Sequence, residues 1–293
     1  MDPRVITRLV GHRGGVMAIA YSPVDGNALA SGGEMGEVFI WDVAKGNRRV
    51  LKDIHRSGQY GAEVWAVAWA ADGQTLASGD GEGVTAVWDV VTGKARAVLC
   101  GFLGHSDPQD AAVFSLAFMP SEPNALLTGT ADGVLTVWDV TTARAMRRLR
   151  PSAGVGAVVR IAVAPADSTA PGALAACALE SLRGVALWRG GSAELAADAD
   201  AGEGGARKME VVGAAWEPGA LVEGAAHGEA AAGLAGGAYC VAFDRSATRL
   251  AIGTGRRWAH CVLVASLAGG ACERTHTLEG HTDIVRDVSV RGL

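Results

Sequence analysis

A Trp-Asp pair recurs along this chain at Trp41-Asp42, Trp88-Asp89 and Trp138-Asp139, and the tryptophans at 41, 88, 138 and 188 step by 47, 50 and 50 residues. Upstream of each pair lies the same pattern, clearest over residues 113–140, VFSLAFMPSEPNALLTGTADGVLTVWDV. An alternating run (113–118) meets a Pro-containing turn (120–124). A second apolar run (125–129) enters the turn Ala131-Asp132-Gly133, and a third closes on Trp138-Asp139. Period-two alternation marks half-buried strands and Asp-Gly marks a hairpin, so the stretch predicts a three-stranded antiparallel meander. One meander cannot bury both of its faces, whereas a series of copies can stack. The same pattern follows Gly11-His12 as far as Asp42, and His55 as far as Asp89.

Composition narrows the function classes. At 293 residues the chain accommodates one large all-β domain. A net charge of −5 offers no electrostatic basis for nucleic-acid capture. Arg147-Arg148 and Arg256-Arg257 read as solvated strand ends or turns rather than phosphate sites. The N-terminal MDPRVITRLVGH lacks the apolar core of a signal peptide, and no uncharged apolar run reaches the ~18 residues of a bilayer span. The five cysteines (100, 177, 240, 261, 272) show no paired spacing, and Asn27, Asn47 and Asn124 lack the Ser or Thr of a glycosylation site. These features predict reduced thiols and an intracellular location, cytoplasmic or nuclear, with no membrane partner.

The repeats resemble the WD-repeat family of β-propellers, whose unit of ~40–45 residues has Gly-His near its start and Trp-Asp near its end. The resemblance spans residues 1–142 fully, is thinner over 150–190 and 238–290, and fades across 190–237. It implies one domain over 1–293: a β-propeller of four-stranded antiparallel blades, six or seven of them, the last incomplete. First strands are expected to begin at Val16, Val64, Val113, Val158, Val211, Ala238 and Val285. Only the 27-residue step from Val211 to Ala238 is too short for four strands of ~5–6 residues. The Ala/Gly-rich stretch 190–237 has few β-branched residues to hold a sheet. Either a decayed fifth blade starts at Val211, or residues 211–216 supply the outer strand of blade four. Leu221-Val222-Glu223-Gly224, similar to Leu278-Glu279-Gly280 ahead of the next blade, favours the second account. Residues 1–10 are expected to form the outer strand that closes the C-terminal blade. Strands two and three of that blade are not found after residues 284–290, which leaves a truncated sequence, a gap filled by a partner, or an irregular closure.

In this family a His, a Ser or Thr, an Asp and the Trp form a hydrogen-bonded tetrad, which satisfies a buried indole and imidazole together. The matching residues are His105, Thr128, Asp132 and Trp138 in the third unit, and His55, Ser78, Glu82 and Trp88 in the second. The first unit offers His12, Ser31 and Trp41, with Met35 at the acidic place; the fourth keeps Trp188, with Ala178 and Leu182 at the polar places. Recurrence once per unit identifies these sets as structural, since a catalytic triad would be single and exposed. Cys272, His276 and His281 have no fourth ligand nearby, so no metal is expected. Gly79-x-Gly81-x-Gly83 and Gly93-Lys94 lack the context of phosphate loops, so no cofactor is expected either.

Binding falls to the surface. The lead-in loops HRSGQYGAE (55–63), with Tyr60, and HSDPQDAA (105–112), with Asp107, are longer than the family norm. Loops at equivalent places in successive blades share one face, where binding tends to sit. The residue after the first apolar position of each inner strand is expected at the channel mouth on that face: Met17, Trp65, Phe114, Val159, Tyr239 and Arg286. Aromatic, Met and Arg side chains are enriched at interface hot spots. The chain therefore reads as a non-catalytic scaffold that binds a protein or peptide partner on the lead-in face, within a multiprotein complex. A ubiquitin-ligase substrate receptor is the alternative, although Ala44, Val91 and Thr141 stand where such receptors carry Arg or Lys. A propeller-based enzyme would need a channel cluster of acidic or metal-binding residues, which the sequence does not supply.

Overall fold

The computed structural model describes residues 8–52, 54–55, 62–100, 112–150, 157–165, 173–179, 184–190, 207–208, 238–254, 260–267 and 273–290, and among them there is no helix. Their strands form five sheets. The first runs β1 (Val16–Tyr21), β2 (Ala28–Gly33), β3 (Val38–Asp42), β4 (Asn47–Leu51), in that order and antiparallel throughout. The second repeats it with β5 (Val64–Trp69), β6 (Thr75–Asp80), β7 (Val84–Asp89) and β8 (Ala95–Cys100). The third does so with β9 (Val113–Met119), β10 (Glu122–Thr130), β11 (Leu135–Asp139) and β12 (Arg144–Arg150). The fourth holds β13 (Val158–Val163), β14 (Ala173–Leu179) and β15 (Gly184–Gly190). A two-residue strand, β16 (Arg207–Lys208), runs parallel beside β12. The last sheet is β17 (Ala238–Phe243), β18 (Arg249–Thr254), β19 (Val262–Ser266) and β20 (Glu273–Leu278).

Within a blade, residue type follows exposure. The second strand TLASGD is buried at all six positions, because a neighbouring blade covers each of its faces. The outer strand NRRVL exposes four of its five residues, and its charges discourage pairing at that edge. The aspartate of each Trp-Asp pair closes the following turn: Asp42, Asp89 and Asp139 accept the amides of Lys45, Thr92 and Thr141 at 3.0, 2.8 and 2.8 Å. Hydrogen bonds from Thr92 and Arg96 hold the Asp89 carboxyl down, to about 2.

The blades stack in chain order, β1 against β5, β5 against β9, β9 against β13 and β13 against β17. One contact recurs at each junction. The first valine of a blade presses on a second-strand glycine of the blade before it. A Cβ on Gly32 would stand 2.5 Å from Val64 Cγ1, one on Gly79 2.6 Å from Val113, one on Gly129 2.5 Å from Val158, and one on Gly253 2.8 Å from Val285. Between blades four and five the seat is Ala178 and the arriving residue Ala238, both fully buried in one cluster. Where the seat gains a methyl group, the knob has shrunk.

That junction places the blade beginning at Ala238 directly after blade four, with no blade between them. Val211 itself lies outside the described residues, as does most of 190–237. Residues 284–290 carry no strand pairing, yet Val285 sits on Gly253 and its amide donates to Thr254 O at 3.1 Å. They therefore take the inner-strand place of a sixth blade. Residues 8–10 are not in a strand, and Arg48 Nη1 donates to Val10 O at 2.7 Å; residues 1–7 lie outside the described residues.

We predict that Gly79→Val lowers stability by about 1–3 kcal/mol, the usual cost of overpacking a filled core. Gly79→Ala combined with Val113→Ala should be less damaging than the sum of the two single changes, because it recreates the Ala178–Ala238 junction. Urea unfolding of the four proteins checks this; strict additivity would remove the knob-and-seat account.

Candidate interaction site

The buried polar networks tie the lead-in histidines to the strands of the first two blades. In blade two Trp88 Nε1 donates to Ser78 Oγ (2.7 Å), Ser78 Oγ meets His55 Nε2 (2.6 Å), and His55 Nδ1 meets Asp80 Oδ2 (2.7 Å). A carboxylate only accepts, so Nδ1 carries the proton and Nε2 accepts from the serine, and every member is satisfied. Asp80 Oδ1 also accepts the amides of Glu82 and Val84 at 3.0 and 2.9 Å. The sequence reading is corrected here. The acid is Asp80, not Glu82, whose side chain is exposed. Asp80 follows the serine by two, so its side chain leaves the strand on the same face and faces the imidazole.

Blade one completes its tetrad by another route. His12 Nε2 meets Ser31 Oγ (2.6 Å), Trp41 Nε1 donates to Ser31 Oγ (2.8 Å), and His12 Nδ1 meets Glu37 Oε2 (3.3 Å). The acid comes from beyond the turn, so Met35 leaves no gap. Gly33, at the register place of Asp80, has no room for a side chain: its Cβ would lie 2.3 Å from His12 Nδ1. In blade three Trp138 Nε1 donates to Thr128 Oγ1 (3.0 Å), and Asp132 Oδ1 accepts from Thr130 Oγ1 (2.6 Å). His105, Tyr60, Asp107 and Leu182 lie outside the described residues. In blade four the register puts Cys177, not Ala178, at the serine's place. Burial pushes its thiol up to about 12, which makes it an apolar filler rather than a nucleophile.

The inner strands share a second feature. Register breaks between Val16 and Ala18, Val64 and Ala66, Val158 and Arg160, and Ala238 and Cys240, while in β9 Val113 and Ser115 are paired but Phe114 is skipped. Met17, Trp65, Phe114, Val159 and Tyr239 are thus each the extra residue of a bulge, which turns a side chain away from the pleat. Trp65 and Phe114 are half-buried and stand edge to face, centroids 5.7 Å apart at 79°. Trp65 lies against Gly81 in the turn after β6, where a Cβ would be 3.2 Å from its Nε1, and Gly81 N donates to Glu63 O at 2.9 Å. Lead-in residues and these turns therefore occupy one end of the blades. Met17 and Arg286 are exposed, Tyr239 is half-buried, and Val159 packs into the junction between blades four and five. Nothing in the residue pattern pointed to the ion pair from Arg160 Nη2 to Asp287 Oδ1 (2.8 Å), which links the inner-strand positions of blades four and six.

Asp80→Ala leaves the buried His55 N–H without its acceptor and should cost about 1–3 kcal/mol. Glu82→Ala should stay within roughly 0.5 kcal/mol of the parent, as exposed positions do. Equal losses in thermal or urea unfolding would return the acid's role to Glu82.

A family model for the WD domain, G-beta repeat, matches residues 3–42, 52–89 and 97–139. No curated protein matches the chain. Each matched segment ends on the aspartate that closes the third strand of a blade, so signature and sheet coincide, and residues 3–139 carry three WD repeats.

Proposed function

We propose that the chain is a non-catalytic scaffold that binds a protein or peptide partner on its lead-in face, at the mouth formed by the bulged inner-strand residues. WD repeats generally mediate protein–protein interaction, and this is the coarse function the repeats carry. The observation that supports the finer reading is the Trp65–Phe114 pair: two half-buried aromatic rings in contact across a blade junction, each lifted out of its strand by a bulge. Aromatic rings held by their surroundings lose little entropy when a partner docks, which suits them as anchors. Met17 and Tyr239 extend the same ring of positions on either side.

The test uses a partner isolated on the parent chain and then purified. Trp65→Ala and Phe114→Ala should each weaken its binding by roughly 30-fold or more, the range of an interface anchor. Val91→Ala, an exposed residue in a turn after a third strand, should leave affinity unchanged. Full affinity in both aromatic variants would refute the mouth as the binding site.

A further inference from the structure

In each of the first three blades, the turn between the second and third strands is bonded to the residue just ahead of the inner strand. Glu34 N donates to Gly15 O, Gly81 N to Glu63 O and Ala131 N to Ala112 O, each at 2.9 Å. These turns therefore border the bulged residues Met17, Trp65 and Phe114, and the charge beside those residues is negative. Glu34 Oε2 accepts the amide of Gly15 at 2.7 Å. A Cβ on Gly15 would lie 3.3 Å from that oxygen and 3.7 Å from Met17 Sδ, so carboxylate and thioether are neighbours. Glu63 directly precedes the first strand of blade two, and Glu82 follows Gly81, whose Cβ would stand 3.2 Å from Trp65 Nε1. Glu34 and Glu82 are exposed, and Glu63 is half-buried.

These carboxylates are not neutralised within the chain. Apart from the tetrad histidines, the cation in the described lead-ins and turns of blades one to three is Arg13, and it faces Glu37 (Nε to Oε1, 3.7 Å). Among the described residues no ion pair engages Glu34, Glu63 or Glu82, Arg286 included. Trp65 has an unmet need of its own. The indole N–H groups of Trp41, Trp88 and Trp138 donate to Ser31, Ser78 and Thr128, and that of Trp69 donates to Ala20 O. No acceptor among the described residues meets Trp65 Nε1, which is not closed off from solvent.

We infer, on the reading that the mouth is the binding site, that the partner enters it with a basic segment. One lysine or arginine of that segment lies against the Trp65 and Phe114 rings within reach of Glu63 and Glu82, and a neighbouring main-chain carbonyl accepts the Trp65 indole N–H. An ammonium or guanidinium is drawn to an aromatic face, most strongly to indole, and the carboxylates supply its counter-charge. An acidic or phosphorylated segment would meet like charge on all three blades, which is costly at an interface.

The probe is a phage-displayed library of random linear peptides, selected on the full parent chain and sorted by loss of binding to Trp65→Ala. The Trp65-dependent peptides should share a lysine or arginine, and its replacement by glutamine in the synthetic peptide should weaken binding by about tenfold or more. Added salt should weaken it as well. Glu63→Gln and Glu82→Gln should each cost about threefold to fivefold, the range of a solvent-exposed ion pair, and Glu82→Lys more. Asp25→Asn, which removes one charge in the β1–β2 turn at the far end of blade one, should leave affinity unchanged. Trp65-dependent peptides without a shared cation, or equal binding to the variant that combines Glu63→Gln with Glu82→Gln, would overturn the inference and leave the mouth reading standing. A selection with no Trp65-dependent peptide removes the mouth reading and the inference together. Should Trp65→Ala fail to fold, Trp65→Phe, which keeps a ring and removes the N–H, sorts the peptides in its place.

Discussion

A valine seated on a glycine holds one blade to the next. The approach is so close at Gly32, Gly79, Gly129 and Gly253 that no other side chain fits without a shift, and the second strand must be buried on both faces for the contact to form. From that follow the small residues beside it, the apolar first strands, and the stacking of blades in chain order. The Ala178–Ala238 junction shows the constraint is one of summed volume rather than of residue identity. Protein interiors are close-packed, so a methyl group added to the seat has to be removed from the knob.

The polar networks obey a looser rule. What each buried imidazole needs is an acceptor at hydrogen-bond distance, not an acid at a fixed place in the chain. Asp80 meets that need from the strand itself, and Glu37 meets it from across the turn over a glycine. Blade five, with Ile252 at the serine's place and Ala265 at the tryptophan's, is packed with apolar groups instead. A propeller tolerates this variation because each blade is also held by its neighbours.

These two rules make a rigid support with adaptable surfaces. The bulges lift one residue per inner strand out of the pleat at little cost to the ladder, so its identity is free to serve binding. The same series then runs from a half-buried Val159, packed into a junction, to an exposed Met17 without change in the bulged strands that carry it. The open junction faces are a different kind of surface. On the first strand of blade one, Val16, Ile19 and Tyr21 are side chains of the core type, exposed because no described blade covers them.

Much of this was legible in the residues. The alternating runs, the Asp-Gly turns and the Trp-Asp spacing marked the WD repeats, and the first strands at Val16, Val64, Val113, Val158 and Ala238 begin where the pattern starts. Period-two alternation reports burial one residue at a time, so strand positions could be read without a fold. The acids of the first two tetrads could not. Glu82 and Met35 sit at the sequence position of Asp132, but a hydrogen bond depends on where the backbone aims a side chain, and it is Asp80 and Glu37 that are aimed at the two imidazoles. Nor could a linear pattern show that Val16 is exposed while its counterparts are buried, or that Arg160 reaches Asp287 across 127 residues. The sequence by itself determined the blades, because a blade is made of local strands and turns. Only the tertiary structure decided which faces meet and which stay open, because that depends on contacts between residues far apart in the chain.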